Sequence, residues 1–190
     1  ATLALALSAG APTTTAAELA AAAAAVVVRR DGTAVCSIDD LSAAVGWTGK
    51  RLTSVDAVRA RVELLRDQGR RIVFTNGCFD LLHRGHVTYL SRAKALGDEL
   101  FVGVNSDASV RGLKGPERPI NALEDRLGVL EALSCVDHVV PFDTPTPEPL
   151  IAAIRPDVFV KGGDYRLETL PEAGLVQRLG GSVRILSYVE

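Results

Sequence analysis

The run Thr75-Asn76-Gly77-Cys78-Phe79-Asp80-Leu81-Leu82-His83-Arg84-Gly85-His86 joins two patterns of different periodicity. Upstream, residues 71–75 form a short apolar run with strand character; downstream, residues 87–96 carry helical spacing. A strand that ends in a glycine turn and feeds a helix makes an anion site, because first-turn N–H groups and the positive end of the helix dipole face the ligand. Gly85 removes a side chain where a phosphate must approach the backbone. His83 and His86, three residues apart, point to one side of the helix start, so two imidazole donors converge on one ligand.

Outward from that run the chain alternates. Strands are expected at 100–105, 138–142, 158–161 and 183–186, and helices at 123–133, 150–154 and 172–179. Short apolar strands separated by helices imply parallel pairing with right-handed crossovers. The expected fold class is therefore α/β: a three-layer, doubly wound parallel sheet preceded by a small alanine-rich helical segment. Ligands of such sheets sit beyond the carboxyl ends of the strands.

Ahead of the sheet, Thr15-x-x-Glu18 reads as a capping box opening a helix through the Ala20–Ala25 tract and ending near Asp31-Gly32. A polar stretch, 38–53, reads as an irregular linker. Gly49-Lys50 within it lacks the Ser/Thr and upstream glycine of a P-loop and takes no phosphate role. Thr53-x-x-Asp56 reads as a second capping box, opening an amphipathic helix with Val55, Val58, Val62 and Leu65 on one face and Gly69 as its stop.

Composition narrows the function classes. A formal net charge of -2 leaves no basic footprint for nucleic acid, so an anionic ligand must be held by a few local groups. Cys36, Cys78 and Cys135 are isolated, without a C-x-x-C pair, which reads as a reducing, cytoplasmic setting. No run of about 18–20 strongly apolar residues predicts a membrane span. The absence of methionine, even at position 1, reads as a piece of a longer chain.

The quoted run is similar to the signature of the cytidylyltransferase-like superfamily, which includes glycerol-phosphate cytidylyltransferases and the adenylyltransferase domain of bacterial ADP-heptose synthases. The resemblance to the heptose enzymes is the closer. It continues through Arg92-Ala93-Lys94, Val104-Asn105-Ser106-Asp107, Lys114-Gly115, Arg118-Pro119-Ile120-Asn121, Glu124-Asp125-Arg126 and Val160-Lys161-Gly162-Gly163-Asp164-Tyr165. A lone H-x-G-H is weak; this ordered succession is not.

The resemblance implies a Rossmann-like nucleotidyltransferase that passes AMP from ATP, with Mg2+, to a sugar 1-phosphate. It implies that His83 and His86 contact the nucleotide phosphates and that Lys94 neutralises phosphate charge. Thr75, Asn76, Gly77, Cys78, Phe79, Gly85 and Asn105 then belong to the nucleotide site, with Lys161, Gly162, Gly163, Asp164 and Tyr165 lining base and ribose. Asp80, Arg118 and Asn121 fall in the acceptor pocket. By the same resemblance, 1–37 are the closing helices of a ribokinase-like sugar kinase domain and 54–190 the nucleotidyltransferase domain. A Ser/Thr-rich triphosphate motif of the family is expected just beyond Glu190.

Blander readings stand beside these. Without the flanking motifs, two histidines near a helix start are ordinary caps, and Lys94 is a solvated helix residue. Gly162-Gly163 reads equally as a turn, and 111–118 as a plain loop or as a lid over phosphate. A zinc site from His83, His86 and Asp80 lacks a further ligand cluster, and no metal-binding residue is assigned. His138 and Cys135 belong to strand packing. Two alternative functions stay open: cytidylyl transfer to glycerol 3-phosphate or a related small phosphate, and a non-catalytic nucleotide-binding module. An exposed sheet edge and the alanine-rich helices leave self-association open.

Overall fold

The computed structural model describes residues 1–30, 33–45, 49–163 and 170–187. The chain divides into two compact units, 1–49 and 50–190. In the first, α1 (Thr2–Ser8) packs on α2 (Thr13–Val28), and α3 (Ile38–Ala44) packs on α2. Buried apolar residues here are alanines, Ala16 and Ala23, so each contributes little burial.

Two expectations fail in this unit. Thr15 lies inside α2, which starts after Pro12 with no side-chain cap, so the first capping box does not form. Nor is the linker irregular throughout: Ser37 and Asp40 cap each other across the start of α3. The Ser37 hydroxyl accepts from the Asp40 N–H at 3.1 Å, and the Asp40 carboxylate accepts from the Ser37 N–H at 2.9 Å. Asp31-Gly32, the expected helix end, lies outside the described residues.

The second unit carries the sheet. α4 (Val55–Asp67) is capped by Ser54, whose hydroxyl accepts from the Ala57 N–H at 3.1 Å, one residue later than the expected box. It buries Val58, Val62 and Leu65 but leaves Val55 exposed, and Gly69 at φ +68 ends it as expected. β1 (Ile72–Gly77), α5 (Arg84–Lys94) and β2 (Glu99–Asn105) follow. Then come α6 (Asp107–Lys114), α7 (Leu123–Ala132), β3 (His138–Phe142), α8 (Glu148–Ile154), β4 (Val158–Gly162), α9 (Ala173–Arg178) and β5 (Ser182–Leu186).

Among the described residues the five strands are all parallel, in the order β3-β2-β1-β4-β5. Alternate side chains of β1 enter opposite layers. Ile72 and Phe74 share a buried cluster with Val62 and Leu65 of α4 and Ile151 and Ile154 of α8; Val73 belongs to another, with Leu90 of α5 and Leu130 of α7. Because β2 and β4 flank β1 on opposite sides, the switch point lies at the carboxyl ends of β1 and β4.

His138 is packed as expected, its ring 4.3 Å from that of Phe101 and its Nε2 3.1 Å from Glu99. Burial pushes the imidazole down to about 4; nearby Arg61 adds to this and Glu99 opposes it. With the folded value below the unfolded 6.5, the chain takes up this proton more readily when unfolded. Stability is therefore complete above pH 6.5 and falls between 6.5 and about 4. At ~1.4 kcal/mol per pH unit that gap amounts to about 3 kcal/mol. Chemical denaturation across this range is expected to show the loss, and His138→Leu to remove that part of the slope.

Candidate active site

Above the switch point the described residues enclose a cavity of about 770 Å³. The turn after β1 forms one wall. Phe79 adopts a left-handed φ of +47, rare for a bulky residue, and its ring lies where a side chain on Gly77 would project, 3.2 Å from that absent Cβ. The same ring meets His86 edge-on at 5.7 Å.

His83 caps α5, its Nδ1 accepting from the Gly85 N–H at 3.0 Å. An accepting Nδ1 leaves the ring proton of the neutral imidazole on Nε2. A Cβ on Gly85 would lie 2.8 Å from the His83 ring, so the missing side chain seats this imidazole as well as clearing the backbone. The N–H groups of His86 and Val87 both reach the His83 carbonyl, at 2.9 and 3.3 Å. Most of the first turn's amides are thus consumed, and imidazoles, more than free backbone, face an incoming anion.

The His86 ring lies 4.2 Å from that of His83, with its Nδ1 enclosed and unpartnered. Burial holds this imidazole below its ordinary value, and positive charge on His83 and Lys114 pushes it the same way. An anion would reverse both charge effects.

Across the switch point, Lys161 of β4 donates to Asn76 Oδ1 of β1 at 2.8 Å and faces Glu172 at 3.8 Å. Burial depresses the Lys161 ammonium, and Glu172 draws it back up. Beneath them Tyr89 shares a 2.6 Å hydrogen bond with the Thr75 hydroxyl and donates to the Val160 carbonyl at 3.0 Å. A Cβ on Gly162 would come within 3.0 Å of the Tyr89 ring.

Of the residues the sequence singled out, Asn76, Gly77, Cys78, Phe79, Asp80, His83, Gly85, His86, Asn105, Arg118, Lys161 and Gly162 line the cavity. Thr75 is buried behind it; Gly163, at φ +88, turns away to bond the Leu186 carbonyl. Asn121 is held in the loop behind Asp80, and Asp164 and Tyr165 lie outside the described residues. Lys94 is not brought to the site. It ends α5, about 15 Å along the helix from His83, where its ammonium pairs with Asp137 at 2.6 Å and bonds the Asp98 carbonyl.

The stretch 111–118, read from the sequence as a loop or a lid, is helical over 111–114, and Leu113 and Lys114 line the cavity with Arg118. Other residues escaped sequence reasoning. Pro145, Thr146 and Pro147 form the facing rim, and Glu172 enters from the segment before α9. Arg126, 1% exposed, is the least expected. It donates to the carbonyls of Cys78 at 2.5 Å, Asn105 at 2.8 Å and Asn121 at 3.1 Å, and to the Asp107 carboxylate at 2.7 Å. One cation thereby ties the ends of β1 and β2 to the loop before α7. The signal was present: with Leu123, Leu127 and Leu130 it occupies the apolar face of that helix.

No group of three or more His, Cys, Asp or Glu able to hold a metal occurs among the described residues, and none of their helices is long and apolar enough to cross a membrane. The charged side chains around the cavity are chiefly cationic, a lining that suits phosphate oxygens more than a bare divalent cation. Such a lining suits a polyanion, and the parallel sheet with its match to the cytidylyltransferase-like family model marks a Rossmann-like nucleotidyltransferase. More particularly, the chain belongs to the cytidylyltransferase-like family, which matches residues 74–185.

It is 49% identical over 191 residues to the bifunctional protein HldE of Alcanivorax borkumensis, covering 99% of this chain and 40% of that one. With the HldE of Chromohalobacter salexigens the identity is 51% over 195 residues, covering 98% and 40%. The chain thus spans about 40% of the length of the curated relatives it matches. A lipopolysaccharide core biosynthesis protein from Thermoplasma volcanium superimposes with a TM-score of 0.53 at 31% identity, covering 64% of this chain and 98% of that one. Pantoate-beta-alanine ligase from Francisella tularensis, at 13% identity and TM-score 0.50, covering 74% and 67%, shares the fold.

Arg126→Met removes a buried cation from four acceptors at once. An unfolding free energy lower by about 3–5 kcal/mol is expected by chemical denaturation, as for breaking a buried ionic network.

Proposed function

We propose that the chain transfers AMP from ATP to a sugar 1-phosphate, D-glycero-β-D-manno-heptose 1-phosphate, in ADP-heptose biosynthesis in the cytoplasm. The observation that carries this is the pairing of His83 and His86 at the switch point, with Lys114, Arg118 and Lys161 around the same cavity. The family resemblance and the HldE relatives supply the nucleotide and the acceptor.

An acceptor phosphate is already an ionised nucleophile, so no general base is required. Its oxygen forms a bond to the α-phosphorus of ATP as the bridge to the β-phosphate breaks, and pyrophosphate leaves with the electron pair. What the protein contributes is in-line placement of two mutually repelling anions and donors for charge growing on the α-phosphate. In this reading His83 and His86 grip the triphosphate, Asn76, Gly162 and Lys161 border the nucleoside, and Asp164 and Tyr165 join them. Nucleotidyltransferases generally work with a divalent metal; Mg2+ arriving on ATP would neutralise its phosphates. Residues 1–37 are read as the closing helices of a kinase domain, in keeping with relatives named bifunctional.

Pyrophosphate release with ATP and heptose 1-phosphate tests the proposal. His86→Ala is expected to keep the fold and lose about 10²–10³ in turnover, the cost of one transition-state donor. Lys94→Met, altered at the far end of α5, should keep the KM for ATP. An equally active His86→Ala variant contradicts the assignment, and turnover with CTP in place of ATP makes the reaction cytidylyl transfer.

A further inference from the structure

The carboxylate of Asp80 is committed within the protein. Its side chain is 1% exposed. Oδ1 accepts from the Ile120 N–H at 2.7 Å and the Asn121 N–H at 3.2 Å, while Oδ2 accepts from Nε of Arg118 and is in ion-pair contact with its Nη2. Of a carboxylate's roughly four lone-pair sites, three are taken by hydrogen bonds, and burial and the ion pair shut in the rest. The Asn121 side chain closes the ring by donating to the Asp80 carbonyl at 2.6 Å, and Arg126 holds the Asn121 carbonyl from the other side at 3.1 Å. Burial pushes the Asp80 carboxyl upward, but the Asn121 N–H, the Arg118 guanidinium and the Ile120 N–H together hold it below its ordinary value. The group stays ionised and engaged.

What reaches the cavity is the residue that Asp80 holds. Arg118 engages Asp80 through Nε and Nη2, and its Nη1 has no partner among the described residues. Its side chain is 32% exposed and lines the cavity with Lys114, His83 and His86. A guanidinium fixed along one edge by a buried carboxylate has already lost its rotamer freedom, and its open edge suits a phosphate.

We infer that Asp80 is a positioning residue: it holds Arg118 so that the open edge of the guanidinium grips the attacking phosphate of the acceptor. This rests on the phosphate-acceptor reading proposed above. Asp80 then never touches the acceptor, contrary to the role its place in the motif implies. Asn121, bonded to the Asp80 backbone, stabilises the same loop instead of lining the pocket.

Pyrophosphate release by the full chain, with ATP held high and heptose 1-phosphate varied, is the test. Arg118→Gln is expected to raise the acceptor KM by about 10- to 100-fold, the loss of one charge-assisted contact, with the KM for ATP within about twofold. Asp80→Asn keeps an acceptor for the loop amides but loses the charge facing Arg118. It should raise the acceptor KM similarly, and the double variant should be no worse than either single one. Arg118→Gln keeps every backbone bond to Asp80, so its result stands even if Asp80→Asn folds poorly. A normal acceptor KM in Arg118→Gln, or effects that multiply in the double variant, overturns the inference.

If the wild type releases no pyrophosphate, the proposed function fails, and calorimetry with inorganic phosphate decides the present point. Weaker phosphate binding by Arg118→Gln supports it, and equal binding, or none by the wild type, overturns it.

Discussion

Parallel pairing sends every strand toward the same end of the sheet, and the order β3-β2-β1-β4-β5 sends the chain from β1 to opposite sides. Helices covering both faces cannot close over the point where that direction reverses, so the carboxyl ends of β1 and β4 stay open. The site is built on that gap. Asn76 and Lys161 come from the two strands that border it and bond across it at 2.8 Å. The turn out of β1 must then enter α5 within a few residues, and the strained Phe79 and the side-chain-free Gly77 and Gly85 are how it does so.

The electrostatics follow from the same crowding. The chain as a whole is slightly acidic, yet His83, His86, Lys114, Arg118 and Lys161 share one cavity. Burial and mutual repulsion hold the His86 imidazole below its ordinary value, and burial does the same to the Lys161 ammonium. Like charges gathered in one cavity repel, and a polyanion relieves them. Carboxylates offset only part of that charge: Asp80 is held by Arg118 and Glu172 faces Lys161, while Asp107 is taken by Arg126.

Much of this was legible before any coordinates. Short apolar runs separated by helical ones imply a doubly wound sheet, and a glycine turn between strand and helix implies where an anion goes. What escaped depends on contacts between residues far apart in the chain. Glu172 meets Lys161 only because β4 and β5 are neighbours, which no local pattern announces. Lys94 carried the right charge and sat near the right motif, but ten residues of helix carry it to the wrong end of the sheet. Asp80 was legible as important but not in its role, since its carboxylate is filled by amides some 40 residues away. Arg126 was hidden by habit: a charged residue on an apolar helix face signals a buried partner set, here three carbonyls and a carboxylate.

The proposed reaction requires the His83–His86 pair to grip nucleotide phosphate. With only three histidines in the chain, imidazole NMR titration of the protein without and with a non-hydrolysable ATP analogue tests it most directly. The His86 pKa is expected to rise on binding, as bound anion offsets burial and neighbouring charge, while His138 is unmoved. Saturating nucleotide that leaves the His86 titration unchanged would contradict it.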